Sequence, residues 1–131
     1  MDNEICKDFQ ETVAQFTLRH KSILDILSKI NESGAKVNRA TVKAVTQCGC
    51  VSIEASKHTW PEEADLSDLS AILDSDLYGH VCPDCQDIIE SEMGKLLFYI
   101  TALCNSINLD LHDVLNKELK KVLTLGKFTL R

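Results

Sequence analysis

Four of the six cysteines in this chain arrive as two close pairs, Cys48-Gly49-Cys50 and Cys82-Pro83-Asp84-Cys85. Each pair places two thiols within about one turn of chain. Soft thiolates grouped in fours complete a tetrahedral zinc site. Such a centre pins two distant segments together and does no chemistry on a substrate by itself. The expected metal ligands are therefore Cys48, Cys50, Cys82 and Cys85, with His80 or His58 able to replace Cys48 or Cys50 as a nitrogen ligand. An iron–sulfur cluster, a reversible disulfide and simple burial as small hydrophobes are the competing readings. Cys6 and Cys104 each stand alone on a helical stretch and belong to the buried class.

A second candidate is a lone carboxylate. From the second cysteine pair onward, Cys85, Ile89, Glu92, Leu96, Tyr99 and Leu103 recur at helical spacing, and Glu92 interrupts an otherwise apolar line. Burying an unpaired carboxylate is costly, so Glu92 requires a cation, a metal or hydrogen-bond donors. Lys95, three residues on, can supply the cation. Asp87 and Glu90 share the helix but flank the inner line. Lys117, Lys120, Lys121, Lys127 and Arg131 make the C-terminal segment basic. Lys117 and Lys121 are the candidates for phosphate contact, although cations near a helix C-terminus also complement its dipole. No Ser/His/Asp constellation, phosphate-cradling glycine loop or His-Glu-x-x-His pattern is present.

The elements that must position these groups read as helices. The chain has 131 residues, 44% hydrophobic, with few aromatics, five glycines and two prolines, which favours an all-α domain. The formal net charge of -6 opposes non-specific binding to nucleic acid or an anionic membrane. No apolar run reaches the length of a membrane span, and the acidic start Met1-Asp2-Asn3-Glu4 lacks a signal-peptide pattern. A reducing, cytoplasmic setting is expected, in which paired cysteines point to metal or redox chemistry.

A first helix is predicted over 3–31 from Ile5, Phe9, Val13, Phe16, Ile23, Leu27 and Ile30, with Asn31-Glu32-Ser33-Gly34 as its stop. A second is predicted over 36–55, with the inner line Val37, Thr41, Ala44, Cys48, Val51 and Ala55. Cys48 and Cys50 lie about 200° apart on a regular helix, so both reach one ion only if the helix distorts near Gly49. A loop from His58, a short helix around Leu66, Leu69, Ile72 and Leu73, and another loop over 74–81 follow. A third long helix begins with Cys82 as N-cap and Pro83 at the first helical position, and runs to Ser106. The last helix spans 109–123, capped by Asn108, with Leu111, Val114, Leu115, Leu119 and Val122 buried; 124–131 is a tail.

The run Glu92-Met93-Gly94-Lys95-Leu96-Leu97-Phe98-Tyr99 resembles the second half of the signature of MazG-type nucleotide pyrophosphohydrolases, and Asn108-Leu109-Asp110-Leu111-His112-Asp113-Val114-Leu115 is similar to that family's next helix. The cysteine pairs resemble those of a short branch of the family. The resemblance covers residues 36–123. It implies an all-α, oligomeric helical bundle that hydrolyses nucleoside triphosphates. In that family Glu-x-x-Glu and Glu-x-x-Asp pairs on two helices hold magnesium. Residues at i and i+3 share a helix face, and two such acidic pairs make an oxygen-rich cage suited to that ion. In this chain the corresponding positions carry Gln47, Cys50, Glu92 and Lys95, so Glu92 alone keeps its carboxylate. An ammonium at Lys95 repels a divalent ion by several kcal/mol at roughly 4 Å.

The sequence therefore predicts a single domain over 1–131 with an N-terminal helix (1–33), a MazG-like region (36–123) and a tail (124–131). About four main helices and one short one form a bundle, expected to be a homodimer. The expected function is a divergent MazG-like protein with a degenerate magnesium site and a structural zinc centre, either non-catalytic or binding a nucleotide or a protein partner. Its rivals are an active pyrophosphohydrolase using Glu92 and Mg2+, and a redox or metal sensor.

Overall fold

The computed structural model describes residues 3–17, 22–57 and 75–129. They are mostly helical, with one small sheet. Helices α1 (Asn3–Phe16) and α2 (Ile23–Lys43) are followed by a single π-helical turn (Ala44–Cys48) and strand β1 (Val51–Ile53). Strand β2 (Leu77–Gly79), helix α3 (Pro83–Ser106) and helix α4 (Leu111–Thr129) complete the order. Among the described residues, no helix is long and apolar enough to cross a membrane.

The chain divides into two compact units. The first comprises Met1–Ala35 and Glu92–Arg131. Its core is Val13 of α1, Ile26 of α2 and Ala102 of α3, with Phe9, Ile30, Phe98 and Leu103 packed against them. Cys6 and Cys104 are buried here as free thiols, as expected of isolated helical cysteines. A side-chain clasp ties α1 to the α3–α4 turn. Gln10 Nε2 donates to Asn105 Oδ1 (2.9 Å) and to the Leu109 carbonyl (2.8 Å), while Gln10 Oε1 accepts from the Leu111 N–H (2.8 Å). One glutamine thus satisfies an N–H at the start of α4 that the helix cannot satisfy itself.

Several helix boundaries differ from the sequence expectation. The predicted helix over 3–31 is interrupted: α1 ends at Phe16, and the Thr17 hydroxyl turns back to the Val13 carbonyl (2.9 Å). Helix α2 then starts afresh, its Ser22 Oγ accepting from the Asp25 N–H (3.4 Å), a local cap that favours a helix start. It runs straight through the predicted stop at Asn31–Gly34. The reason is tertiary. Ile26, Ile30, Ser33, Val37, Ala40 and Ala44 form one continuous, mostly buried line across Gly34, and that packing outweighs glycine's low helix propensity. Finally, Asn108 does not cap α4. It closes α3 in the left-handed conformation (φ 58°), and Asp110 is the cap, its Oδ1 accepting from the His112 N–H (2.8 Å).

Helix α3 begins and ends as predicted. Its expected inner line of Cys85, Ile89, Glu92, Leu96, Tyr99 and Leu103 is half-buried throughout, and Thr101, Ala102 and Cys104 are its fully buried residues. Helix α4 continues through the predicted tail to Thr129. Its predicted buried face is instead exposed at Val114, Leu115, Leu119 and Val122.

The second unit, Lys36–Ser91, holds the small sheet. Strands β1 and β2 pair antiparallel with Val51 opposite Gly79, Ser52 opposite Tyr78 and Ile53 opposite Leu77. The Glu54 N–H extends the ladder to the Asp76 carbonyl (2.9 Å). The helix predicted over 36–55 and the loop predicted over 74–81 are both corrected by this hairpin. The predicted short helix at Leu66–Leu73 lies outside the described residues.

Candidate metal centre

The hairpin is a positioning device. Cys50 immediately precedes β1, and His80 immediately follows β2. Antiparallel register therefore delivers the chain after Gly79 beside the chain before Val51. Cys82 arrives two residues later, at the start of α3. Gly79 lets the strands meet: it has φ 94°, and a Cβ there would lie 2.7 Å from the Cys50 carbonyl oxygen.

The first cysteine pair is freed from its helix by the π turn. The Gly49 N–H bonds to the Ala44 carbonyl (2.9 Å), five residues back, and Gly49 itself is left-handed (φ 78°). The chain leaves the helix axis there. Cys50 is thus released from the 200° phase that a regular helix would impose, and its Sγ lies 3.8 Å from the Ala44 carbonyl oxygen. The distortion required near Gly49 is present.

The second pair uses the opposite device, a regular helix start. Cys82 caps α3: its carbonyl accepts the Gln86 N–H (2.9 Å), and its Sγ accepts the Cys85 N–H (3.5 Å). The four Sγ atoms of Cys48, Cys50, Cys82 and Cys85 all lie within 4.8 Å of one another. Cys48 Sγ and Cys82 Sγ are 3.7 Å apart. A Zn–S bond of about 2.3 Å in a tetrahedron gives an S···S edge of about 3.8 Å, so the cluster has the size of a single-ion site. A multi-iron cluster would place its own iron and sulfide atoms between the thiolates and hold them further apart.

The electrostatics fit a cluster built around one thiolate. The Cys82 thiol is lowered to about 7, first by the Cys85 backbone N–H and then by the Cys85 thiol. The Cys85 thiol is pushed far up, chiefly by Cys82 and then by burial. Cys48 is also raised: the Cys85 thiol and the Cys50 backbone lower it, but the Cys82 and Cys50 thiols together with burial more than offset them. Sulfurs this close share a proton network, so the first negative charge settles on Cys82 and disfavours the next. A cation at the centre relieves that repulsion and draws off the remaining protons.

The other predicted site residues have separate fates. His80 is exposed and is not among the converging ligands; His58 lies outside the described residues. Gln47 is exposed within the π turn, and Cys50 has left the helix, so the two do not form an i,i+3 pair on one helix face. They belong to the second unit, Glu92 and Lys95 to the first. Glu92 Oε1 pairs with Lys95 Nζ at 3.5 Å, the side chains being 18% and 57% exposed, and Glu92 Oε2 is buried with no hydrogen-bond partner. Lys117 and Lys121 are exposed on α4. Neither lines the cavity of about 540 Å³ that Lys7, Glu11, Asn105, Asn108, Asp110 and His112 help to form in the first unit.

The hairpin and Gly79 were not anticipated as parts of the site. The available signal was the β-branched pair Val51 and Ile53, two residues apart and just past a glycine. Comparison with known protein families, with curated proteins and with solved structures finds no match to this chain.

Proposed function

We propose that this chain is a divergent MazG-like helical protein whose four-cysteine cluster binds one zinc ion as a structural centre, without catalysis of its own, in a reducing cytoplasmic setting. The observation that carries the metal reading is the convergence of four sulfurs within 4.8 Å, one pair of them, Cys48 and Cys82, at 3.7 Å, close to the edge of one tetrahedral thiolate site. The ion would lock the end of the π turn to the start of α3. Supporting the scaffold reading are the helical content and the placement of Glu92–Tyr99 on α3. A nucleotide or a protein is the expected ligand of that scaffold.

The test is elemental analysis of protein purified anaerobically with reductant and without added metal. One equivalent of zinc, lost together with stability on Cys82→Ser, is the expected result. Metal-free protein with four reactive thiols in the cluster would remove the reading.

Two further readings each have an observation in their favour. The unpartnered Glu92 Oε2 favours a magnesium-dependent nucleoside triphosphate pyrophosphohydrolase, tested by turnover of a nucleotide panel that Glu92→Gln abolishes. The short Cys48–Cys82 separation favours a redox or metal sensor, tested by a reversible response to peroxide in the zinc-loaded protein.

A further inference from the structure

The outer face of α1 presents large apolar side chains to solvent. At 100° per residue, Ile5, Phe9, Thr12 and Phe16 fall within about 60° of arc and follow the helix for about three turns. Ile5 and Phe16 are 66 and 71% exposed, although Cys6 and Val13 on the adjoining face are buried. This ridge enters a concave surface at one end. Ile5 and Phe9 form one wall of an apolar groove of about 270 Å³, completed by Leu97 of α3 and by Leu111 and Leu115 of α4. Contiguous apolar surface of this kind marks an interaction site rather than a solvated face.

Shape and charge together select the occupant. A three-turn ridge running into a groove matches a helix, which anchors through side chains at i, i+3, i+4 and i+7. The flank of the ridge is acidic. Glu4, Asp8 and Glu11 are all exposed and fall within about 60° of arc beside it. Lys7 lies beyond them, toward the separate cavity of about 540 Å³. On the opposite wall, exposed Glu118 shares the face of α4 that carries Leu111 and Leu115, whereas Lys117 and Lys121 lie further round that helix. Acid therefore borders the groove on both sides. Such a border repels an anionic lipid surface. In an antiparallel pairing of two α1 helices it would also meet itself, acid against acid. A cationic partner is matched at the flank, and the formal net charge of -6 steers it inward.

We infer that the outer face of α1 docks an amphipathic helix of a partner protein, with lysine or arginine along the flank that meets Glu4, Asp8 and Glu11, and apolar side chains seated in the groove formed by Ile5, Phe9, Leu97, Leu111 and Leu115. The inference deepens the protein-binding part of the proposed function and rests on that part alone. The surface lies wholly on the first unit and is independent of the cysteine centre.

Fluorescence anisotropy of the full chain with two labelled model peptides is the test. Both peptides are helical and carry the same leucine ridge, flanked by lysines in one and by glutamates in the other. The expected result is binding of the lysine peptide about tenfold tighter than the glutamate peptide at low salt, a preference that shrinks as salt rises. Ile5→Ser with Phe16→Ser removes the ridge without altering charge and abolishes binding of the lysine peptide. Because both side chains are already exposed, circular dichroism of this variant remains that of the parent. Asp8→Lys with Glu11→Lys reverses the preference between the peptides. Equal affinity for the two peptides, no binding of the lysine peptide at millimolar concentration, or a preference that survives the charge reversal would each overturn the inference. So would sedimentation showing that a second copy of the chain already covers Ile5 and Phe16. Zinc content of the same samples reports on the cysteine centre separately, so failure of one reading is distinguishable from failure of the other.

Discussion

Gly79 abuts Cys50 so closely that an added Cβ would lie 2.7 Å from the Cys50 carbonyl oxygen. The contact involves no sulfur, yet it sets how near the two halves of the thiol cluster come. A residue that ligates nothing therefore controls the site.

Gly79→Ala is expected to weaken metal binding tenfold or more, measured by competition with a chromophoric chelator. The substitution adds left-handed strain of about 1–2 kcal/mol to a clash with backbone that cannot swing away. Gly49→Ala is the comparison. Gly49 is also left-handed, but its Cβ would meet nothing within 4 Å. It should lose only the conformational part, so the Gly79 variant must be the worse of the two.

Metal removal should act unevenly. In hydrogen exchange, chelation is expected to deprotect β1, β2 and the first turn of α3 while amides around Val13, Ile26 and Ala102 stay protected. Those three side chains form a core of their own. Uniform deprotection would mean that the centre governs the whole chain.

The metal-free protein should show one early-reacting cysteine. With its pKa lowered to about 7, Cys82 gains thiolate character as pH rises through 7, whereas Cys48, Cys85 and Cys104 are shifted upward. Iodoacetamide labelling followed by mass spectrometry should therefore find Cys82 modified first, at half its maximal rate near pH 7. Below that pH the rate falls as the thiol reprotonates. Bound zinc should protect it across the range.

These predictions depend on features of unequal visibility in the sequence. The start of α3 was legible because Pro83 is suited to a first helical turn and Cys82 precedes it. The spacing of the two pairs announced the cluster. The hairpin was hidden, since strands of three residues are too short to carry an alternating pattern. The break after Phe16 was hidden for another reason: Phe16 and Ile23 are seven residues apart, a spacing that continues a helical stripe whether or not the helix continues. Gly34 misled in the opposite sense, because the burial of Ser33 beside it holds α2 together. The i,i+3 logic applied to Gln47 and Cys50 failed because Gly49 ends the helix between them.

Gln10→Ala should destabilise the chain by about 1–3 kcal/mol in denaturant unfolding, from the loss of two donated bonds and one cap acceptor. Gln10→Glu keeps an acceptor for the Leu111 N–H but loses the donors to Asn105 and Leu109, so an intermediate loss is expected.

Glu92→Gln should leave stability within about 0.5 kcal/mol or raise it, because the lost ion pair involves a largely exposed lysine and the burial of a charge is relieved. Calorimetry checks the stability. A simultaneous loss of magnesium-dependent nucleotide turnover would transfer Glu92 from structure to catalysis.

The bond from the Glu54 N–H to the Asp76 carbonyl fastens the sequence at the two points where the intervening stretch departs and returns. With those points already held together, lengthening the stretch between them adds closure entropy only logarithmically. A change in the length of that stretch is therefore expected to cost the thiol geometry little, because the paired strands already hold its two ends together.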